Sequence, residues 1–311
     1  MEQTITTTKY RKKTLFEHMK SKKVYYSMIL PYMLIFVVFT VVPVVMSFLL
    51  SFTSFDMLQL PKFIGLQNYV NLFLNDDVFL IALKNTVILA VITGPVSYMM
   101  AFLFAWLINE LPRKIRWIMV LVFYAPSISG SAYLLWLLIF SSDMYGILNA
   151  YLLDWKIINT AILWLETPQY ALPILIIVQL WLSLGVSFLA FIAGLQTVDT
   201  TLYEAAAVDG IRNRWQELWF ITLPQMKSQL MFGAVMQITS ALGIGTVSIA
   251  LLGFPSVEYS GHTIVTHLMD FGSTNSTRLE MGYASAIATV LFVLMLGSNL
   301  LVQKMIKRVG T

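Results

Sequence analysis

The sequence predicts an all-α polytopic membrane protein with six transmembrane helices, and three observations carry that reading. Of 311 residues, 58% are hydrophobic and 12% charged, against roughly 45–50% and about 25% in an ordinary soluble domain. The apolar residues gather in blocks of about 20 or more, the length an α-helix needs to cross about 30 Å of hydrocarbon. The basic residues lie between those blocks, and nearly all of them fall on one side.

The predicted spans are 25–52, 82–109, 115–140, 170–196, 228–252 and 281–303. The first begins too far along the chain, runs too long and lacks the small-residue cleavage site of a signal peptide, so it is expected to be retained. All Lys and Arg except Lys62, Lys84, Lys156 and Arg278 precede the first span, follow the last, or sit in the connections at 110–114 and 197–227, with Arg116 at the edge of the third span. The positive-inside rule then places both termini in the cytoplasm. This divides the chain into a basic N-terminal segment, 1–24, and a transmembrane domain, 25–311. The net charge of +4 follows from topology and calls for no nucleic acid. The run at 11–23 is expected to rest against anionic lipid.

Three connections, 53–81, 141–169 and 253–280, face the other side. Each mixes Gly, Pro, Asn or Asp with aromatics, which predicts short helices and turns on an outer rim.

The chain has no cysteine, which excludes disulfides, thiolate nucleophiles and Cys-ligated metals. No phosphate-cradling glycine loop, H-E-x-x-H or G-x-S-x-G occurs. His262 and His267 are spaced i, i+5, poor for a shared metal, and are expected to face solvent. The interiors of the spans hold no ionisable residue, where proton-coupled carriers usually place one. Uncharged polar residues do occupy them. Gln179, Ser183 and Ser187 recur at four-residue intervals on one face, Trp181 lies beside them, and Ser127, Gln237 and Ser240 are further members. Amides and hydroxyls suit a neutral, hydroxyl-rich solute, because each sugar hydroxyl needs a partner when it loses water. The same groups also join helix to helix, so both roles stay open.

The connection 196–227 has a pattern of its own. Thr201-x-x-Glu204 predicts a capping box, Ala205 to Val208 propagate a helix, and Gly210 ends it in a left-handed cap. Asn213-x-x-Gln216 predicts a second start, and Pro224 a separation from the fifth span. Leu202, Tyr203, Trp215, Leu218, Trp219 and Phe220 are left for a protein surface.

Glu204-Ala205-Ala206, Gly210 and Ile221-x-Leu223-Pro224 resemble the EAA loop of permease subunits of binding-protein-dependent ABC importers, of the carbohydrate-uptake, maltose and glycerol-phosphate type. Phe63-Ile64-Gly65-Leu66-Gln67-Asn68-Tyr69 and Gly282-Tyr283-Ala284-Ser285-Ala286-Ile287-Ala288 are similar to that group as well, and the likeness runs from about residue 25 onward. One departure is visible: ten residues separate Gly210 from Ile221, where nine are usual. The resemblance implies a type I importer permease fold with a coupling loop at 197–227. Glu204, Ala205, Ala206, Gly210, Leu223 and Pro224 would engage an ATPase subunit. It also implies a second permease, two ATPase subunits binding ATP and Mg, an extracytoplasmic solute-binding protein and a sugar substrate. Gln179 and Ser183 match the family's sugar-contacting positions. The chain itself is then a transport subunit of the inner membrane, with no ATPase of its own. Three rivals remain: an ion-coupled carrier, a membrane scaffold whose loop docks a partner, and an ABC permease for amino acids, peptides or phosphate esters.

Overall fold

The computed structural model describes residues 22–272 and 279–308. The basic stretch 11–23, up to residue 21, and Arg278 lie outside them. The residues up to Leu49 form a compact unit of their own. Its described part holds α1 (Lys23–Phe36), a π turn at Val37–Val41 and α2 (Val42–Leu50), one 28-residue helix long and apolar enough to cross a membrane.

The second unit, from Leu50 on, opens with a short antiparallel pair, β1 (Thr53–Ser54) and β2 (Lys62–Phe63), with Thr53 opposite Phe63. Helix α3 (Gln67–Leu74) follows. The 63–69 motif acts locally here. Gly65 takes φ +60°, and buried Asn68 donates to the carbonyls of Ser51 and Thr53, both at 2.9 Å.

Helix α4 (Asp77–Asn109) is the spine. Its 33 residues span about 50 Å at 1.5 Å each, and its first turn is capped by Asp76, whose carboxylate accepts from the Phe79 amide at 2.9 Å. Phe79, Ala82, Thr86, Leu89, Thr93, Ser97, Ala101, Ala105 and Ile108 form its buried stripe, at the three- and four-residue steps that keep one face inward. Small residues in that stripe let neighbours approach closely. Phe79, Leu89 and Ala101 belong to three successive apolar clusters, so α4 borders all of them.

The remaining helices are α5 (Arg113–Ile128), α6 (Leu134–Ile139), α7 (Ile147–Asp154), α8 (Pro168–Leu182), α9 (Val186–Thr197), α10 (Thr200–Val208), α11 (Arg214–Glu217), α12 (Leu223–Gln225), α13 (Lys227–Leu242), α14 (Thr246–Leu252), α15 (Ile264–Gly272) and α16 (Met281–Arg308). Helix α4 packs against α8, α9, α13 and α15, and α16 packs on α13 and α15.

The predicted spans are modified in three places. The third, 115–140, does not continue as one helix: α5 ends at Ser129, which is extended at ψ 106°, in the Ser127-Ile128-Ser129-Gly130-Ser131 run, whose Ser and Gly residues favour a break. The fourth survives as one 30-residue span, α8 and α9, with an interruption at Ser183–Gly185. The fifth bends by 41° between α13 and α14, at Gly243-Ile244-Gly245. Among the described residues, four helices are long and apolar enough to cross a membrane, or five with the bent pair.

The connections 53–81, 141–169 and 253–280 carry the predicted short helices, α3, α7 and α15. Buried Asn149 ties its segment together, donating to the carbonyls of Asp143 and Ile162 at 3.0 Å each and accepting from the Trp164 indole at 2.9 Å.

Candidate functional site

Two regions hold the predicted site residues. The first is a polar seam where α8 and α9 meet α13. At the interruption, Ser183–Gly185, the Ser183 carbonyl accepts from the Gly185 amide at 2.8 Å and from the side-chain amide of Gln237 on α13 at 3.0 Å, and Gln237 makes a second bond to Ser187 Oγ at 2.6 Å. Gln179, about a turn earlier on α8, donates to Ser240 Oγ at 3.1 Å, and the Ser183 hydroxyl donates to its own helix at Leu180. Gln179, Ser183, Ser187 and Gln237 are all buried. These side chains therefore do join helix to helix. The seam is uncharged and offers amides and hydroxyls only.

Ser127 lies against the interruption from α5: a Cβ added at Gly185 would meet Ser127 Cβ at 3.5 Å. Trp181 points elsewhere. It lines a cavity of about 430 Å³ with Phe123, Pro126 and Trp136, its ring edge-on to Trp136 at 5.7 Å. Gln237 also lines a second, larger cavity of about 480 Å³ with Gly94, Tyr98 and Ala241. The seam residues are thus brought together, whereas Trp181 belongs to a separate aromatic cavity.

The second region is the helix–turn–helix at 199–226. Helix α10 begins two residues earlier than Thr201-x-x-Glu204 predicts, because Asp199 is the cap and accepts from the Thr201 amide at 3.0 Å. That bond holds the Asp199 carboxyl below its ordinary range. Glu204 is left free of capping duty and stands exposed, as does Ala205, while Ala206 is buried. Gly210 takes φ +96°. The Ile211 amide reaches back to the Ala206 carbonyl at 3.0 Å and the Gly210 amide to Ala207 at 3.4 Å, the paired bonds of a Schellman cap.

The second helix starts as expected: Asn213 accepts from the Gln216 amide at 2.8 Å, and Gln216 accepts in return from the Arg212 amide at 3.0 Å. It does not stop at Pro224. Helix α11 runs through a π turn, Leu218–Thr222, into α12, and the separation from α13 falls at Met226. Pro224 sits in α12, directly after the π turn. A π turn holds one residue more than an α turn's i→i+4 closure, and this one, Leu218–Thr222, overlaps the stretch that carries the additional residue between Gly210 and Ile221. Tyr203 and Thr222 join the two helices through their hydroxyls at 2.8 Å.

Of the apolar residues expected on the loop surface, Trp215, Trp219 and Phe220 are 65–66% exposed. Leu218 is the correction. It is buried together with Ile221, since the π turn rotates it inward. The loop is fixed to the end of α4 by Arg214, which pairs with Glu110 at 3.0 Å, and by Trp215, whose ring lies 5.2 Å from that of Trp106.

At the opposite end of α4 the sequence reading missed a third cluster. His262 and His267 do not face solvent: each is 2% exposed. Thr263 and Thr266 cap α15 reciprocally, at 2.8 and 3.2 Å, so the helix starts between the two histidines and turns both inward. His267 Nε2 lies 2.9 Å from Asp76 Oδ2, Tyr283 donates to the same oxygen at 2.7 Å, and His262 Nε2 lies 3.3 Å from His267 Nδ1. Burial raises the Asp76 carboxyl, but the bonds from Tyr283 and Phe79 and the nearby His267 outweigh it and leave it below the usual range. Burial and the neighbouring His267 push His262 down to about 4.

Apolar spans, an uncharged polar seam and a braced helix–turn–helix with exposed tryptophans define a membrane-embedded solute-transport subunit. Residues 95–311 match the family described as "Binding-protein-dependent transport system inner membrane component", and this chain belongs to that family. It is 35% identical over 272 residues to the probable ABC transporter permease protein YesP of Bacillus subtilis (strain 168), covering 86% of this chain and 85% of that one. It is 34% identical over 208 residues to the lactose transport system permease protein LacF of Rhizobium radiobacter, covering 66% and 67%. Among solved structures it superposes on a chain of a bacterial ABC transporter involved in the import of the acidic polysaccharide alginate. The TM-score is 0.75 at 25% identity, and the match covers 96% of this chain and 99% of that chain.

Proposed function

We propose that this chain is the permease subunit of an ABC importer that carries a neutral sugar or oligosaccharide across the cytoplasmic membrane. It pairs with a second permease, two ATPase subunits that bind ATP and Mg, and an extracytoplasmic solute-binding protein. The helix–turn–helix at 199–226 lies on the cytoplasmic side with both termini, and the rim helices face outward.

The observation that carries the reading is the loop itself. A free Glu204 and three exposed aromatics stand on a scaffold braced by the Gly210 cap, the Tyr203–Thr222 contact and Arg214–Glu110. Such a surface has the makings of a docking element. ATP-driven closure of the ATPase pair would displace the loop and bias the bundle between two states. The uncharged seam of Gln179, Ser183 and Gln237 favours a neutral solute over the charged one named for the alginate transporter.

The test is uptake in proteoliposomes holding the full complex, with a sugar panel and the cognate binding protein. ATP-dependent uptake is expected, and Glu204→Lys should cut sugar-stimulated ATP hydrolysis at least tenfold. Uptake that proceeds without the ATPase subunits and collapses with an uncoupler would replace this reading by an ion-coupled carrier. Full activity of Glu204→Lys would remove the docking role.

A further inference from the structure

The buried cluster around Asp76 has no part in the seam or the docking loop, yet it joins three elements. Asp76 Oδ1 caps α4 at Phe79, while Oδ2 accepts from Tyr283 at the mouth of α16 and lies 2.9 Å from His267 of α15. We propose that Asp76, His267, His262 and Tyr283 form a proton-sensitive clamp positioning α15 on the outer ends of α4 and α16, so that acid on that side releases α15 and slows transport. The inference rests on the proposed function for its transport readout and for which side is outer, but the clamp itself is read from this site.

The bonding states follow from donor and acceptor counts. With both imidazoles neutral, His262 Nε2–H donates to His267 Nδ1 and His267 Nε2–H donates to Asp76, so the chain is complete and ends on one half-buried negative charge. A first proton fits. With it the bond to Asp76 is kept, and His262 changes tautomer to offer Nε2 as the acceptor. A second proton does not fit, because two N–H groups then face each other across 3.3 Å and like charges meet in a buried site. The relay therefore keeps its bonds with one added proton and breaks on the second.

The surroundings leave that second proton without a partner. From 257–263, Tyr259 lies edge-on to His262 at 5.4 Å and Glu258 is exposed. From α15 come His267 and Asp270; from α4, Asp76 with the exposed Asp77 and Lys84; from α16, Tyr283 with the exposed Glu280, which bears on Tyr283. The ring of Phe254 stacks on His262 at 5.8 Å, and those of Phe79 and Phe271 flank His267 at 5.8 and 5.2 Å. Apolar rings thus cover the imidazole faces, and among the described residues Asp76 is the one carboxylate bonded to the relay, already engaged by three donors. Burial that holds His262 near 4 sets the range in which the second proton enters.

Other bonds to the same segment do not titrate. Asn85 donates to the carbonyls of Tyr259, Ser260 and His262, and Thr86 accepts from the Ile264 amide at 2.9 Å. These hold the start of α15 on α4 while the relay opens, which confines the change to α15 and the mouth of α16.

The experiment uses the assembled transporter in proteoliposomes, lumen at pH 7 and outer face titrated from pH 7 to 4, comparing wild type with His262→Asn. The same binding protein serves both, so its own pH dependence cancels. Wild-type uptake should fall at least fivefold between pH 6 and 4. The variant should stay within about twofold of wild type at pH 7 and carry its acid limb at least one pH unit lower. A second readout needs no transport: nitroxide labels at the exposed Leu74 and Met269 should show a widened distance distribution at pH 4 in wild type and not in the variant. Coincident pH profiles for the two proteins overturn the proposal. If His262→Asn fails to assemble, an unchanged wild-type distance distribution between pH 7 and 4 overturns it as well. An acid-induced distance change in a complex that imports no sugar would leave the clamp standing and remove the proposed function instead.

Discussion

Replacing Gln237 tests whether the seam is an architectural joint as well as a polar lining. Its amide serves Ser183 O at 3.0 Å and Ser187 Oγ at 2.6 Å, and the first of these acceptors, at the break between α8 and α9, also accepts from the Gly185 amide at 2.8 Å. Interhelical hydrogen bonds in membranes average about 0.6 kcal/mol and reach about 1.7. Gln237→Met keeps the volume and loses both bonds while the Ser183 carbonyl keeps its Gly185 partner, so a destabilisation of about 1–3 kcal/mol is expected. Gln237→Glu sets a carboxylate against the Ser183 carbonyl and should be worse. Unfolding of such a complex is rarely reversible, so the assay is fluorescence-detected thermal denaturation of the assembled transporter at one scan rate. Drops of about 4–8 °C for Met and more for Glu are expected, with uptake reduced in both. A Gln237→Met protein with wild-type melting and uptake would refute the joint, and a Glu variant more stable than the Met variant would refute the assignment of Nε2 as the donor.

Other substitutions probe features with equally definite geometry. Gly210→Val places a β-branched side chain at φ +96°, costing about 1–2 kcal/mol or more; Gly210→Asn should be milder, and sugar-stimulated ATPase rates should rank Gly, Asn, Val. Gly233→Ala drives a methyl into the Phe191 ring, an overpacking worth about 1–3 kcal/mol, and Phe191→Leu in the same chain should recover part of the lost melting temperature. The pH dependence of stability carries a fixed sign. His262 binds its proton near 6.5 when unfolded and near 4 when folded, so the unfolded chain gains protons first as pH falls. Melting temperature should therefore decline from about pH 6.5 to about 4, by an equivalent of up to about 3 kcal/mol, and His262→Asn should flatten that decline.

Local chemistry was the legible part of this chain. Apolar block length located the spans, Asn213 and Gln216 marked a helix start, and Gly210 announced its left-handed cap because little else tolerates that conformation. Breaks inside apolar blocks were harder to see. Ser129-Gly130-Ser131 and Gly243-Ile244-Gly245 carry the composition of close helix packing as readily as that of a stop, and only the neighbours decide between them. Capping was ambiguous in the same way: Asp199 and Thr201 both have the right oxygen, and the chain's path after Thr197 selects the first. Leu218 escaped detection because an apolar residue in a loop is as suited to an outer surface as to the inside of its own fold, and only the packing beside Ile221 separates the two. The histidines failed for a related reason. A spacing of five was weighed as one helix or one loop, whereas the α15 cap lies between them and lets Asp76, almost two hundred residues away, complete the set.

Helix α4 has a mechanical meaning that its contacts at either end imply jointly. It is anchored through Trp106 and Glu110 to the loop bearing Trp215 and Arg214, and through Asp76, Asn85 and Thr86 to the rim at the other end. A rod of about 50 Å pivoting near its middle by about 5° moves each tip by about 2 Å, in opposite directions. Pro95 lies inside the helix near that middle, where it removes a backbone hydrogen bond. Close-packed layers have discrete arrangements rather than a continuum, and this rod touches three of them, so a tilt about Pro95 would be met at both tips, a lever whose weakest point is its pivot.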